Sequence, residues 1–228
     1  MKARNGAIVA LLLLATCNDN SPSSSAVESS REALGKIPDS ETAVWQKVGS
    51  SSIPDGRYLQ AAAFDSTRNV AVMFGGEILN VNMGTGAPSG ETWEWSPATA
   101  HWTNRTSTGP QARSGAAMAY DATRNKFVLF GGRAGSGYNY EDTWEWDPTT
   151  GAWTDVTTAG SHPPARAQHV MVWESSTGKV LLFGGGRSDS NSYDGTGISV
   201  SLGDTWEYDG ATKSWTPANA AVSPTARH

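Results

Sequence analysis

Cysteine is nearly missing from this 228-residue chain: the single one is Cys17. One thiol cannot close an intrachain disulfide. Its place near the N-terminus also excludes a thiolate nucleophile or a Cys-based metal site in the repeated part of the chain. The four histidines (His101, His162, His169 and His228) are scattered, and no pair has metal-ligand spacing. No cofactor and no metal is therefore expected. Basic clusters are absent as well. With 17 Lys+Arg against 22 Asp+Glu and a formal charge of −5, the chain lacks the electrostatic footprint of a nucleic-acid binder. Nor does any apolar run reach the roughly 20 residues that a membrane-spanning helix needs.

The longest apolar run, residues 7–16, follows Lys2 and Arg4 and leads into Leu14-Ala15-Thr16-Cys17. A basic start, a short apolar stretch and small residues after it describe a secretory signal peptide. The last four residues resemble a bacterial lipoprotein signal, with Thr16 standing where Gly, Ala or Ser is usual. That resemblance implies cleavage before Cys17 and lipidation of its thiol, the only membrane attachment expected. Residues 18–40 are polar, aperiodic and rich in serine. Such a segment cannot bury enough surface to order itself and is expected to be a tether. The chain is then expected to be exported, to a bacterial cell envelope or beyond it.

What the chain has in plenty is glycine, 25 residues, and tryptophan, 10 residues, and both recur at intervals. Arginines at 57, 113, 166 and 227 each follow a proline by two or three residues, at a spacing of roughly fifty to sixty residues. Each of the first three opens the same text. A short run is followed by a nearly continuous apolar run (70–74, 127–130, 180–183) and a glycine pair (Gly75-Gly76, Gly131-Gly132, Gly184-Gly185). Then comes Thr-Trp-Glu-Trp or Thr-Trp-Glu-Tyr, and finally a tryptophan at 102, 153 or 215. A continuous apolar run implies a strand covered on both faces, whereas the alternating third run places its rings on one face. Asp65-Ser66-Thr67-Arg68-Asn69, Asp147-Pro148-Thr149-Thr150-Gly151 and Asp209-Gly210 are tight-turn chemistry. Each unit reads as a four-stranded antiparallel meander.

These units resemble Kelch repeats, and the resemblance implies an all-β fold, a β-propeller with blades at about 54–103, 110–154 and 163–216 within a segment spanning 41–228. Partial strands flank the three complete blades: Trp45-Gln46-Lys47-Val48 before them and Pro224-Thr225-Ala226-Arg227-His228 after them. Propellers close with about four to eight blades, so three are expected to leave the ring open. The remaining blades would come from a longer chain or a second protomer.

The long second-to-third connections (77–91, 133–141, 187–203) share one end of such a propeller with the links between blades, and long loops on a rigid scaffold carry binding. Arg57, Arg113 and Arg166, with Arg227, are expected to ring the channel mouth at that end. There they either grip an acidic ligand through forked hydrogen bonds or pair with blade carboxylates such as Asp142 and Asp204. Glu77, Arg133 and Arg187 follow the glycine pairs and differ from blade to blade; the Kelch resemblance implies that such residues touch a partner. Asp189 to Gly195 reads as a flexible loop, because Val200 stands where a calcium loop needs its twelfth ligand. The expected function is a non-catalytic binding module for a protein or glycan. The alternative is an enzyme resembling a sialic acid mutarotase, using Arg57, Arg113, Arg166 and Glu77. A galactose oxidase-like copper site would need a cysteine that the repeats lack.

Overall fold

The computed structural model describes residues 53–80, 85–187, 200–218 and 225–226. Cys17, the expected signal and tether, Trp45, Arg227, His228 and the 189–195 loop lie outside the described residues, all of which belong to one compact unit, Val48–His228. No helix occurs among them.

The first repeat folds as β1 (Arg57–Tyr58), β2 (Ala61–Asp65), β3 (Val70–Phe74), β4 (Glu77–Asn80), β5 (Thr85–Pro88), β6 (Thr92–Ser96) and β7 (His101–Asn104). The second gives β8 (Ala117–Asp121), β9 (Lys126–Phe130), β10 (Thr143–Asp147) and β11 (Ala152–Asp155). The third gives β12 (Val170–Glu174), β13 (Lys179–Phe183), β14 (Gly186–Arg187), β15 (Val200–Ser201), β16 (Thr205–Asp209) and β17 (Ser214–Pro217). Three antiparallel meanders result: β2-β3-β6-β7, β8-β9-β10-β11 and β12-β13-β16-β17, here blades 1, 2 and 3. Their registers are superimposable. Ala61, Ala117 and Val170 face Phe74, Phe130 and Phe183 across the first ladder, and those phenylalanines face Thr92, Thr143 and Thr205 across the second.

Local chemistry sets where the strands turn. The Asp65 and Asp121 carboxylates each accept the N–H groups two and three residues on, while Asn69 and Asn125 take the left-handed conformation that closes the turn. Where the sequence reads long loops after the glycine pairs, the first and third repeats instead form small sheets of their own beside the blades. β4 and β5 form a hairpin to which β1 adds, and β14 pairs with β15. The left-handed Gly75 and Gly76 let the chain kink and carry on as strand.

Blade 2 shows why its second strand is apolar throughout. Phe127 and Leu129 pack in a cluster with Val72 and Phe74 of blade 1, whereas Val128 and Phe130 pack with Val180, Leu182 and Tyr208 of blade 3. Both seams are closed by the same contact. Trp153 meets Phe74 edge-on at 5.0 Å and Trp215 meets Phe130 at 5.3 Å. The Trp153 indole donates to Thr92 Oγ1 and the Trp215 indole to Thr143 Oγ1, each at 2.9 Å. A ring of that size fills the gap between diverging sheets, and its N–H gives a buried threonine hydroxyl a partner.

Backbone bonds stitch the inner ends of the blades together. Gly115 donates to the Leu59 carbonyl at 2.8 Å and Gln168 to the Gly115 carbonyl at 2.7 Å. Leu59, Gly115 and Gln168 occupy the same place in their repeats, and all have positive φ. Gly76 and Gly132 donate to the Arg113 and Arg166 carbonyls of the following blade. At Gly131 a Cβ would stand 2.6 Å from the Arg166 carbonyl oxygen, which is why a glycine must lie there. Three blades stand side by side in this way, and the ring is not closed.

Candidate functional site

The anchor arginines are built into the blades. Arg113 is buried, and its fork grips both carboxylate oxygens of Asp142. The remaining N–H groups donate to the Gly131 and Gln111 carbonyls, and the guanidinium lies 3.9 Å from the centre of the Tyr140 ring. Arg166, fully buried, repeats the arrangement with Asp204, at 2.7 Å for each of the two bonds, and with the Gly184 and Pro164 carbonyls. Arg57 donates to Glu91, Ser89, Gly75 and Asp55. Each arginine thus ties the start of its repeat to the glycine kink and to the acid before the third strand. The structure does not bring the three together as a ligand-gripping ring, because each fork is filled within its own blade. Asp142 and Asp204, the acids foreseen as alternative partners, fill two of them. Burial alone would raise the Asp204 carboxyl, but the Arg166 fork and the Trp206 indole outweigh it and hold that group below its ordinary value.

A different group converges where blades 1 and 2 meet. β1 places Tyr58 opposite Glu77 in register, and Ser114 exchanges both backbone bonds with Arg133. The Ser114 hydroxyl donates to Glu77 at 3.4 Å. A Cβ at Gly86 would run into the Glu77 carboxylate, so that glycine makes room for it. The Tyr58 phenol is held above its ordinary value, chiefly by its hydrogen bond to Glu77, while the Arg133 guanidinium pulls the other way. Tyr58 is 42% exposed. Arg187 lies apart, exposed on β14 opposite Val200. The foreseen residues therefore divide: Glu77 and Arg133 share one junction, and Arg187 belongs to the next blade.

Sequence reasoning missed Tyr58 and Ser114. The signal was their place directly after the anchor arginine, where the residue changes from repeat to repeat (Tyr58, Ser114, Ala167) just as it does after the glycine pair. Beside this junction, Leu59, Gln60, Gly115, Ala116, Gln168 and His169 line a cavity of about 310 Å³. His169 is buried and its imidazole is pushed down to about 3, first by burial and then by the neighbouring Arg166 charge. It is therefore neutral at physiological pH. Among the described residues no cluster of His, Cys, Asp or Glu is arranged to hold a metal ion.

Comparison with known families agrees with the repeat architecture. The model described as the KLHDC2/KLHL20/DRC7 Kelch-repeats domain matches residues 27–228. No curated protein matches the chain.

Proposed function

Because this chain belongs to the Kelch-repeat family, we propose that it is a protein-binding scaffold whose partner seats on the junction of Tyr58, Glu77 and Arg133, with Arg187 at the flank. The observation that carries this reading is the contrast between two sets of polar residues on one end of the blades. Of the recurring arginines, Arg113 and Arg166 are buried, the Arg57 side chain keeps 3% of its exposure, and all three are bonded within their own repeats. The residues that vary from repeat to repeat, Glu77, Arg133 and Arg187, are partly or fully exposed. Invariance inside a repeat array serves the framework, and variable side chains on a rigid frame serve recognition.

A carboxylate, a phenol and guanidinium groups side by side suit an extended peptide bearing both charges, with the phenol as an aromatic anchor. Export belongs to the same proposal, with the scaffold held in the cell envelope through a lipid on Cys17 or secreted. The enzymatic alternative draws its cations from Arg57, Arg113 and Arg166, and their engagement with Glu91, Asp142 and Asp204 leaves it without an observation in its favour.

The test is a displayed peptide library selected on the purified chain, with affinities measured for the peptides recovered. Arg133→Ala combined with Arg187→Ala weakens binding at least about tenfold, equivalent to roughly 1.4 kcal/mol, without changing thermal unfolding. Unchanged affinity, or binding seen only on a glycan array, refutes the peptide site.

A further inference from the structure

Blade 2 lacks a side chain that both of its neighbours have. Where blade 1 carries Leu59 and blade 3 carries Gln168, blade 2 carries Gly115, and at the next position Ala116 stands between Gln60 and His169. Gly115 and Ala116 are the smallest pair of the series. The Gly115 N–H on the Leu59 carbonyl and the Gln168 N–H on the Gly115 carbonyl tie the three backbones together. The shortfall is therefore a notch of fixed shape with a blade on either side of it.

The Gln168 side chain runs beside this notch, since a Cβ at Gly115 would stand 3.5 Å from its Cγ. Gly115 and Ala116 form the floor, and Leu59 and Gln60 bound the blade 1 side. The resulting cavity of about 310 Å³ stands at the lower end of small-ligand pockets, which run from about 300 to 1,000 Å³.

His169 closes the blade 3 side. Its ring lies edge-on to Phe130 at 5.7 Å and keeps 6% of its exposure. The Phe130 backbone bears on the ring, yet neither ring nitrogen reaches hydrogen-bond geometry with any described residue. Such an imidazole stays neutral, and the fork of the neighbouring Arg166 is filled by Asp204. No lining residue thus carries a charge, and the other polar side chains along the cavity are the amides of Gln60 and Gln168.

We propose that this notch receives one carboxamide side chain, glutamine or asparagine, whose end group pairs with the Gln168 amide while its methylenes lie on Leu59 and Ala116. The source of that side chain is the peptide proposed above, on whose binding this step rests. The notch adjoins the peptide junction, because Leu59 follows Tyr58 and Gly115 follows Ser114 in the chain. A charged end group would give up its hydration here without a countercharge. An apolar one would cover the Gln168 amide without replacing its bonds to water. A carboxamide both donates and accepts.

NMR titration of the full chain with N-acetyl, N-methylamide derivatives of glutamine, glutamate and leucine tests this. The glutamine derivative shifts the Gly115, Ala116 and Gln168 amide resonances saturably, with a dissociation constant at least about tenfold below those of the other two. Gln168→Leu abolishes that preference and leaves thermal unfolding unchanged, because blade 1 already holds Leu59 at this place with φ of 54° against 59° at Gln168. Should that variant not fold, the three derivatives compared on the wild type decide the matter. Equal responses to glutamine and glutamate, a response to methyl glucoside in place of glutamine, or no shift at the three amides overturns the proposal. Selected peptides that need Arg133 and Arg187 but show no preference for a carboxamide overturn the notch and leave the peptide site standing. Glutamine bound in the notch with no peptide selected supports the notch and overturns the peptide site.

Discussion

Asp142→Ala is expected to lower the unfolding free energy by about 3 kcal/mol in a denaturant titration. Breaking a buried ion pair from one side costs about 3–5 kcal/mol, because the remaining charge stays buried without its partner. The lower end applies, since the Asp142 side chain keeps 24% of its exposure while Arg113 keeps 1%, and the Gly131 and Gln111 carbonyls still accept from the guanidinium. The internal control is Asp147→Ala. Its partner Lys126 and Asp147 itself are 30% and 27% exposed, and such a pair contributes no more than about 1 kcal/mol. Equal costs for the two substitutions would return Arg113 to the list of groups available to a ligand.

Phe130→Ala has an expected cost of about 3–5 kcal/mol, the range for deleting a fully buried aromatic ring. Phe130 has no exposure, fills the seam between blades 2 and 3 and carries the edge contact with Trp215. Phe183→Ala, at the same position of blade 3, costs less than half as much, because Phe183 is only half-buried. Comparing the two in a denaturant titration separates position in the repeat from position in the array. Equal losses would contradict the half-burial of Phe183.

The repeat and its strands are legible in the sequence because they rest on local periodicity. Val70–Phe74, Lys126–Phe130 and Lys179–Phe183 fall where the continuous apolar runs stand, and the alternating third run becomes β6, β10 and β16. The pairing of Arg113 with Asp142 and Arg166 with Asp204 was also within reach, since one arginine and one acid recur together in each unit. The hairpin after Gly76 was not. Thr85–Pro88 is an unpromising strand by composition, yet it pairs with Glu77–Asn80, to whose other edge β1 adds. Tyr58 was hidden for the same reason: its neighbour Glu77 lies 19 positions along the chain and meets it only through that register. The identity of a partner is likewise not a local property of these residues.

Hydrogen exchange at the Gly115 and Gln168 amides tests most directly the claim that these repeats are one stacked array and not three separate sheets. Both N–H groups donate only across a seam, to Leu59 and to Gly115, so no single blade can protect them. The predicted result is slow exchange at both, comparable to that of the β9 amides within blade 2, with loss of protection at Gln168 in Phe130→Ala. Fast exchange at Gly115 and Gln168 beside protected β9 amides would show blades that fold singly, and would contradict the seam on which this account rests.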